Sequence, residues 1–442
     1  MKQHWLFCAL GSGRRLAWVS AGSLLISSMA ATAATDIQVW HSLNPYNKKV
    51  FEGLVKDFNK DQKDVKVQLK AFDSPEAIEA ALVKAKKRED KPNLVQLDDA
   101  RAPDDIAKRP YIQPLHALVA KSPVKDSKWF LSDANTFIRD SKGRLLAFPY
   151  MVDVPVMFYN IDAFKKAGLK PAVPQRSWKG LQDQLVTLAN NGSRNCPLTS
   201  DQTVSINLEN LAAVNKQPYT SEDNGLKAKA KGTPAFSFDA MYIRHLSMMI
   251  SWVRTELLVK PEFDAVATKR FANGECAVLM STSSNIGWFN DTKKLDFAVS
   301  GLPYYPEVTQ KPGNPFVGGS ALWAISGMSK ENDAASVEFL AWLAQPKQAS
   351  NWFQHTGFLP LTKQAFDQTD KAYYKSLGDW QQLVAVYATS PAVTSRGFRV
   401  SNYPKIKAMF QQKLDGAFNG KQPAVTALKS ASAEAGQIMR ER

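Results

Sequence analysis

The chain has 442 residues, enough for two domains of ordinary size once a leader is set aside, and beyond its first residues no long apolar run marks a membrane span. Its 56 basic and 41 acidic residues give a net charge of +15, a balance that raises nucleic acid as a partner. The basic residues are scattered singly among acids, as in "VKDFNKDQKDVKV" and "LVKAKKREDKP", with no basic stripe of interleaved aromatics, so a solvated basic surface is expected and no nucleic-acid partner.

Residues 1–33 read as a secretory signal peptide: Lys2, Arg14 and Arg15 precede the short apolar core "LAWVSAGSLLISSMA", and "ATAA" offers small residues for cleavage after Ala33. Cys8 precedes that core, so it is not a lipid-attachment cysteine. Loss of the three basic residues lowers the net charge to +12, and the mature protein is expected to be soluble and exported. Cys196 and Cys276 remain, which allows one disulfide or two buried thiols.

The mature chain opens with a short strand from Ile37 to Trp40. In "NKKVFEGLVKDFNKDQ", Val50, Phe51, Leu54, Val55 and Phe58 recur at helical spacing, and "DVKVQLKAF" then alternates as a strand does. "SPEAIEAALVKAKKRED" is a helix for which Ser74 can cap and Pro75 fits the first turn; "PNLVQLDD" returns to strand. This alternation predicts an α/β domain with a largely parallel sheet. "FPYMVDVPVMFYN", residues 148–160, reads as one buried strand interrupted by the carboxylate of Asp153. Beyond it come a short helix ended by Gly168 and Pro171, an amphipathic helix capped by Ser177 and a mainly helical region over 204–275. Strands in "GECAVLMSTSS", "LDFAVSGLPYYP" and "GGSALWAIS" follow, then a helix pair and two closing amphipathic helices. No flexible linker separates two domains, which suggests that the chain crosses between lobes more than once.

The sequence holds no phosphate-loop motif, His-Glu-x-x-His, Gly-x-Ser-x-Gly or Cys/His cluster, and His41, His116, His245 and His355 lack metal-ligand spacing. No enzyme activity, metal or cofactor is expected; a secreted hydrolase, with Asp98 or Asp99 and Asp153 as a glycosidase acid pair, is the remaining enzyme alternative. Binding signals are stronger. Asp98 and Asp99 end a strand, where ligands of open α/β sheets sit, although Asp98 reads first as a loop or cap residue. Gly318 and Gly319 allow close backbone approach or form a plain turn; "STSSN" places hydroxyls at Ser281 to Ser284, of which Ser284 could instead cap a helix; Arg396 and Arg399 read first as surface or salt-bridge residues, although their donors suit phosphate or carboxylate. Burying Asp153 costs several kcal/mol unless a partner meets it, so a structural cation, solvent, or a cleft with a polar ligand must satisfy it.

"VWHSL…F…LVKDFN", "FYNIDAFKKAGL…P…SWKGL", "FANGECAVLMSTSS", "FVGGSALWAIS", "WFQHTGFLPLTKQAF" and "RGFRVSNYPKI" together resemble extracytoplasmic solute-binding proteins of carbohydrate ABC importers, with the sn-glycerol-3-phosphate binders the nearest branch. The resemblance implies a two-lobed α/β periplasmic binding protein fold with a central ligand cleft and three crossings. These fall near residues 149–156, Val278–Ser283 and Gly357–Pro360. The implied lobes are 34–149 with 284–356, and 150–283 with 357–442. It implies capture of sn-glycerol-3-phosphate or a glycerophosphodiester in the periplasm and delivery to membrane permease subunits, with a neutral sugar or polyol as the alternative ligand. Carried over by position, the ligand contacts are Asp99, Thr282 (or Ser283 with a shift of one), Gly319 and Arg399. Asp153 stands where the glycerol-phosphate binders have a small hydroxyl residue, Phe358 and Pro75 where they have tyrosines, and "LTSDQTVSI" replaces a Trp-containing ligand loop. An acid at Asp153 suits hydroxyl donors and repels a phosphate unless it is turned away towards Arg399.

Overall fold

The computed structural model describes residues 34–98, 103–120, 128–191, 195–228, 233–259, 265–389 and 391–441. The expected signal peptide therefore lies outside the described residues. Two sheets form the frame. The first orders its strands β2-β1-β3-β10-β4, with β5 also paired to β10; these are β1 (Thr35–His41), β2 (Val65–Ala71), β3 (Leu94–Leu97), β4 (Ile112–Gln113), β5 (Phe148–Asp153) and β10 (Gly318–Ile325). The second orders β7-β8-β6-β9, from β6 (Pro155–Asn160), β7 (Cys196–Ser200), β8 (Cys276–Thr282) and β9 (Phe297–Ser300).

The parallel expectation holds for β1 with β2 and β3, whereas β10 runs antiparallel to β3, β4 and β5, and β6 runs antiparallel to β8 and β9. The first sheet is therefore mixed, because a strand arriving from the far sheet enters it in the opposite direction.

Local chemistry sets the helix starts. Ser74 Oγ accepts from the Ala77 amide and Ser177 Oγ from Gly180, each satisfying an orphan donor of a first turn. In the helix Pro45–Asp61, Phe51, Leu54, Val55 and Phe58 face the first-lobe core, where Phe51 and Phe58 pack against Phe339, and Phe51 against Trp352. The second-lobe core is built from the helices Trp178–Asn190, Ala240–Arg254, Tyr403–Phe418 and Ala424–Ile438. Cys196 and Cys276 are directly opposed in the parallel pair β7–β8 and form a disulfide. That selects the bonded alternative.

Residues 148–160 are not one strand. They divide at Val154 into β5 of the first sheet and β6 of the second. Pro155 has no amide hydrogen to extend a ladder, and the Val154 backbone turns to Ser283: its carbonyl accepts from the Ser283 amide at 2.8 Å and its N–H donates to Ser283 Oγ at 3.3 Å. Both halves are buried on both faces, so the apolar run stays continuous while the sheet changes.

Two boundaries need correcting. Residues 150–153 pair within the first sheet, although they were expected in the second lobe. Residues 297–300, expected in the first lobe, pair with β6 in the second sheet. The sheet-to-sheet return therefore lies between Ser300 and Gly318, not near Val278–Ser283. The turn after β8 misleads because the helix Ile286–Asn290 does pack against the first-lobe helices before the chain goes back for β9. Near Gly357 the chain leaves the helix Pro346–Thr356, and the Leu359 amide donates to Val152 O as it passes the junction.

Candidate functional site

A cavity of about 570 Å³ lies at the junction of the two sheets. Asp153 ends β5, Pro155 begins β6, Thr282 ends β8 beside Pro155, and Gly319 lies opposite Val152. Asp153 is nearly buried, and its Oδ2 accepts from Ser284 Oγ at 3.1 Å. Gly319 has φ +86°, and a Cβ there would stand 2.4 Å from Met151 O and 3.0 Å from the Asp153 carboxyl carbon. Only glycine lets the β5 and β10 backbones close up at this wall.

The other walls are helix faces. From the helix Pro75–Lys84, Pro75, Glu76 and Glu79 face the cavity while Ile78 and Leu82 enter the core. From the helix Tyr403–Phe418, Pro404 and Lys407 face it while Tyr403, Ile406 and Phe410 are buried. Arg109 joins from the loop after the helix Pro103–Ala107; its Nη1 donates to Glu79 Oε1 at 2.5 Å and to Tyr111 Oη at 3.3 Å. Burial works to lower the Arg109 pKa, but the hydrogen bond and charge of Glu79, with Tyr111, outweigh it and hold the guanidinium above its ordinary value. Gln202 and Ser205 line the second-lobe side, where a π-helical turn over Ser205–Glu209 shapes the wall. Four carboxylates (Glu76, Glu79, Asp98, Asp153) and two cations (Arg109, Lys407) thus face one space.

Among the expected site residues, Asp153, Thr282 and Gly319 line this cavity, and Asp98 joins them although it was read first as a loop residue. Asp99 lies outside the described residues. Ser283 is fully buried and is used in holding Val154, so Thr282, not Ser283, faces the cavity. Phe358 is also buried, stacked on Trp352 with ring centroids 5.4 Å apart in the first-lobe core. Its aromatic surface is taken up by packing.

Arg399 does not line the cavity either. Its guanidinium donates to Asp104, and Nη2 donates to Arg139 O at 2.6 Å, while its backbone amide donates to Asn224 O. Beside it, the Asn402 amide donates to Asp105 Oδ2 at 3.0 Å. Asp104 and Asp105 belong to the helix packed on β4 of the first sheet, whereas Phe398, Val400 and Tyr403 belong to the second-lobe core. Arg399 therefore fastens one lobe to the other. Arg399→Ala is expected to weaken charged and neutral ligands by a similar factor, because it removes a contact between the lobes and not a contact of the ligand. Calorimetry with both ligand types checks this; a loss confined to anions would return Arg399 to the ligand.

The residues that position alone did not suggest are Glu76, Glu79, Arg109, Gln202, Ser205, Pro404 and Lys407. Gln202 and Ser205 had one signal, their place in "LTSDQTVSI". Among the described residues, no group of three or more His, Cys, Asp or Glu is placed to hold a metal ion, and no helix is long and apolar enough to cross a membrane.

Comparison with known proteins decides the family. Residues 53–385 match the bacterial extracellular solute-binding proteins. The chain belongs to that family. The binding protein is 30% identical over 421 residues to the sn-glycerol-3-phosphate-binding periplasmic protein UgpB of Shigella dysenteriae serotype 1 (strain Sd197), covering 93% of this chain and 94% of that one. It is 30% identical over 433 residues to the protein of that name from Escherichia coli O1:K1 / APEC, covering 95% and 96%. Among solved structures it resembles UgpB of Mycobacterium tuberculosis in complex with glycerophosphocholine, at TM-score 0.72 and 17% identity over 92% of this chain and 99% of that chain. It also resembles maltose-bound MalE3 of T. maritima, at TM-score 0.72 and 17% identity over 92% and 100%. These structural likenesses speak to the fold. The two lobes with a cavity at their junction are the architecture of a solute-binding protein.

Proposed function

We propose that this protein is the extracytoplasmic capture component of an ABC importer, and that it takes sn-glycerol-3-phosphate or a glycerophosphodiester in the cleft and presents it to membrane permease subunits. In this reading residues 1–33 are removed on export and the mature protein works in the periplasm. The observation that carries the reading is the 30% identity to sn-glycerol-3-phosphate-binding proteins over 93% of the chain. The cavity supports it. Its volume of about 570 Å³ suits a small-molecule site and leaves room beside a glycerol phosphate for the second alcohol of a diester. A diester also carries one negative charge fewer than the monoester, which suits a wall holding Glu76, Glu79, Asp98 and Asp153. Ligand contacts made with both lobes favour the closed form, and that form is what a permease would distinguish.

The four acids favour a second reading, a neutral sugar or polyol whose hydroxyls donate to Asp153. Asp153→Ser separates the two. For a sugar, the change removes a charged acceptor and should cost about 1.5–3 kcal/mol of binding. For a glycerol phosphate, that loss is offset by removal of a negative charge, so affinity should stay within about 1 kcal/mol or rise, more so at low salt. Calorimetry of wild type and variant against sn-glycerol-3-phosphate, glycerophosphocholine and maltose tests this. A wild type that binds maltose and no glycerol phosphate would replace the primary reading with the second.

A further inference from the structure

We propose that Arg109 and Lys407 form the anion-binding pole of the cleft, holding the ligand's phosphate between the lobes without Arg399, which does not line the cavity. The inference rests on the glycerol-phosphate reading above and deepens it. Arg109 and Lys407 are the cationic side chains of the cavity wall among the described residues, and each comes from a different lobe. Arg109 follows the helix packed on β4 of the first sheet; Lys407 lies one turn into the helix Tyr403–Phe418 of the second lobe.

Arg109 is already aimed. Glu79 and Tyr111 hold its guanidinium, so a bound phosphate meets a donor fork whose geometry is set in advance. Its Nη1 takes both of those contacts, while a guanidinium carries five N–H donors; donors beyond Nη1 are left for a phosphate oxygen. Glu79 holds the arginine in place and also lowers the net positive charge at the pole. That favours a monoanion over a dianion, the same direction as the diester preference.

The helix on which Lys407 sits explains why the pole is specific to closure. Tyr403, Ile406 and Phe410 pin this helix into the second-lobe core, so Lys407 cannot follow the first lobe when the lobes part. An anion touching both Arg109 and Lys407 therefore gains its second cation only when the cleft is shut. That is differential affinity for the closed state, which is what drives a hinge. The arrangement also resolves the conflict at Asp153. Asp153, Thr282 and Gly319 belong to the strand junction, while Arg109 and Lys407 belong to the loop and helix walls. A glycerol phosphate lying across the cavity places its charge at the walls and its neutral hydroxyls toward the junction acid. Arg399 does not face this cavity, and its guanidinium is held by Asp104 and the Arg139 carbonyl.

The test is titration calorimetry of the mature protein with sn-glycerol-3-phosphate and with glycerophosphocholine at two salt concentrations. Arg109→Gln and Lys407→Gln should each weaken both ligands by about 10- to 100-fold, the range of a lost charged hydrogen bond, and each should flatten the salt dependence. Arg109→Lys should recover part of the loss. Lys407→Gln lies on a helix face outside the core and keeps the test open if Arg109→Gln, which strands Glu79, fails to fold. Wild type that binds a glycerol phosphate while the folded variants stay within about twofold overturns the anion pole alone. Wild type that binds only neutral sugars overturns the functional reading, and the anion pole with it.

Discussion

Removal of the Cys196–Cys276 bridge is expected to cost the folded protein about 4 kcal/mol, the largest single loss anticipated here from any pair of small side chains. The two cysteines are 80 residues apart in sequence, so the bond closes a long loop in the unfolded chain. On the chain-entropy account, the penalty it spares grows with the logarithm of loop length, and a loop of this size stands near the upper part of the usual 2–5 kcal/mol range. In the native state the bond asks little of the backbone, since the parallel register of β7 and β8 sets Cys196 directly against Cys276. The consequence reaches the cleft. β7 leads into Gln202 and Ser205, and β8 ends at Thr282, so the bridge ties together two strands that carry cavity residues. The Cys196→Ala/Cys276→Ala double variant should therefore show a lower denaturation midpoint in urea, and reductant should lower the wild type towards the same value while leaving the variant unchanged. A midpoint difference equivalent to less than about 1 kcal/mol would show that the bridge does not constrain the unfolded chain as argued.

Much of this fold can be read from local patterns, and the parts that cannot share a physical cause. Ser74 and Ser177 act through donors three residues away, so caps and helix starts are local and legible. Gly319 is legible because its neighbours in sequence already mark a strand entry, and the structure adds the reason, a left-handed φ against Met151. Asp153 is legible as an anomaly in an apolar run. The division of that run at Val154 is not, because both β5 and β6 are buried on both faces and the hydrophobic pattern has no break to report. The partner that makes the division is Ser283, 129 residues away. Glu79, Arg109 and Lys407 are illegible for a related reason. On their own helices and loops they look like ordinary solvent-facing charges, and only long-range apposition turns that solvent into a cavity. Arg399 shows the opposite case. Its sequence context resembles a ligand arginine, yet Asp104, carried by the other lobe, takes the guanidinium instead.

Acidification below neutral pH is expected to destabilise the protein steeply through two buried histidines. His245 is fully buried, edge-on to Trp178 at 4.6 Å between ring centroids. Its Nε2 lies 3.0 Å from Asn207 Oδ1 and its Nδ1 3.0 Å from Tyr305 Oη. The Asn207 amide nitrogen donates to Thr203 O, which turns its oxygen to the ring, so a neutral imidazole with the proton on Nε2 donates to Asn207 and accepts from Tyr305. A second proton on Nδ1 would replace that acceptor with a donor facing the tyrosine hydroxyl. Burial first, and then the nearby Arg244 charge, lower the His245 pKa to about 3. Burial and then Lys48 lower that of His41 to about 4. Both pKa values are depressed on folding from an unfolded value of 6.5, so the unfolded chain takes up protons that the folded one refuses. Above pH 6.5 both states are neutral at these rings and the contribution is fully present. As pH falls from 6.5 towards 4, stability drops by up to about 1.4 kcal/mol per pH unit for each histidine. Below about pH 4 His41 protonates in the folded state too and its share of the slope vanishes, followed by that of His245 near pH 3. Urea unfolding at pH 7.5, 6.5, 5.5 and 4.5 should show a flat upper segment and a falling lower one. His245→Gln should be less stable than wild type at pH 7.5, from the lost packing and hydrogen bonds, yet lose less on acidification. A wild-type midpoint that is level from pH 7.5 to 4.5 would mean that these rings accept protons in place, and the account of how the second lobe holds His245 neutral would fail.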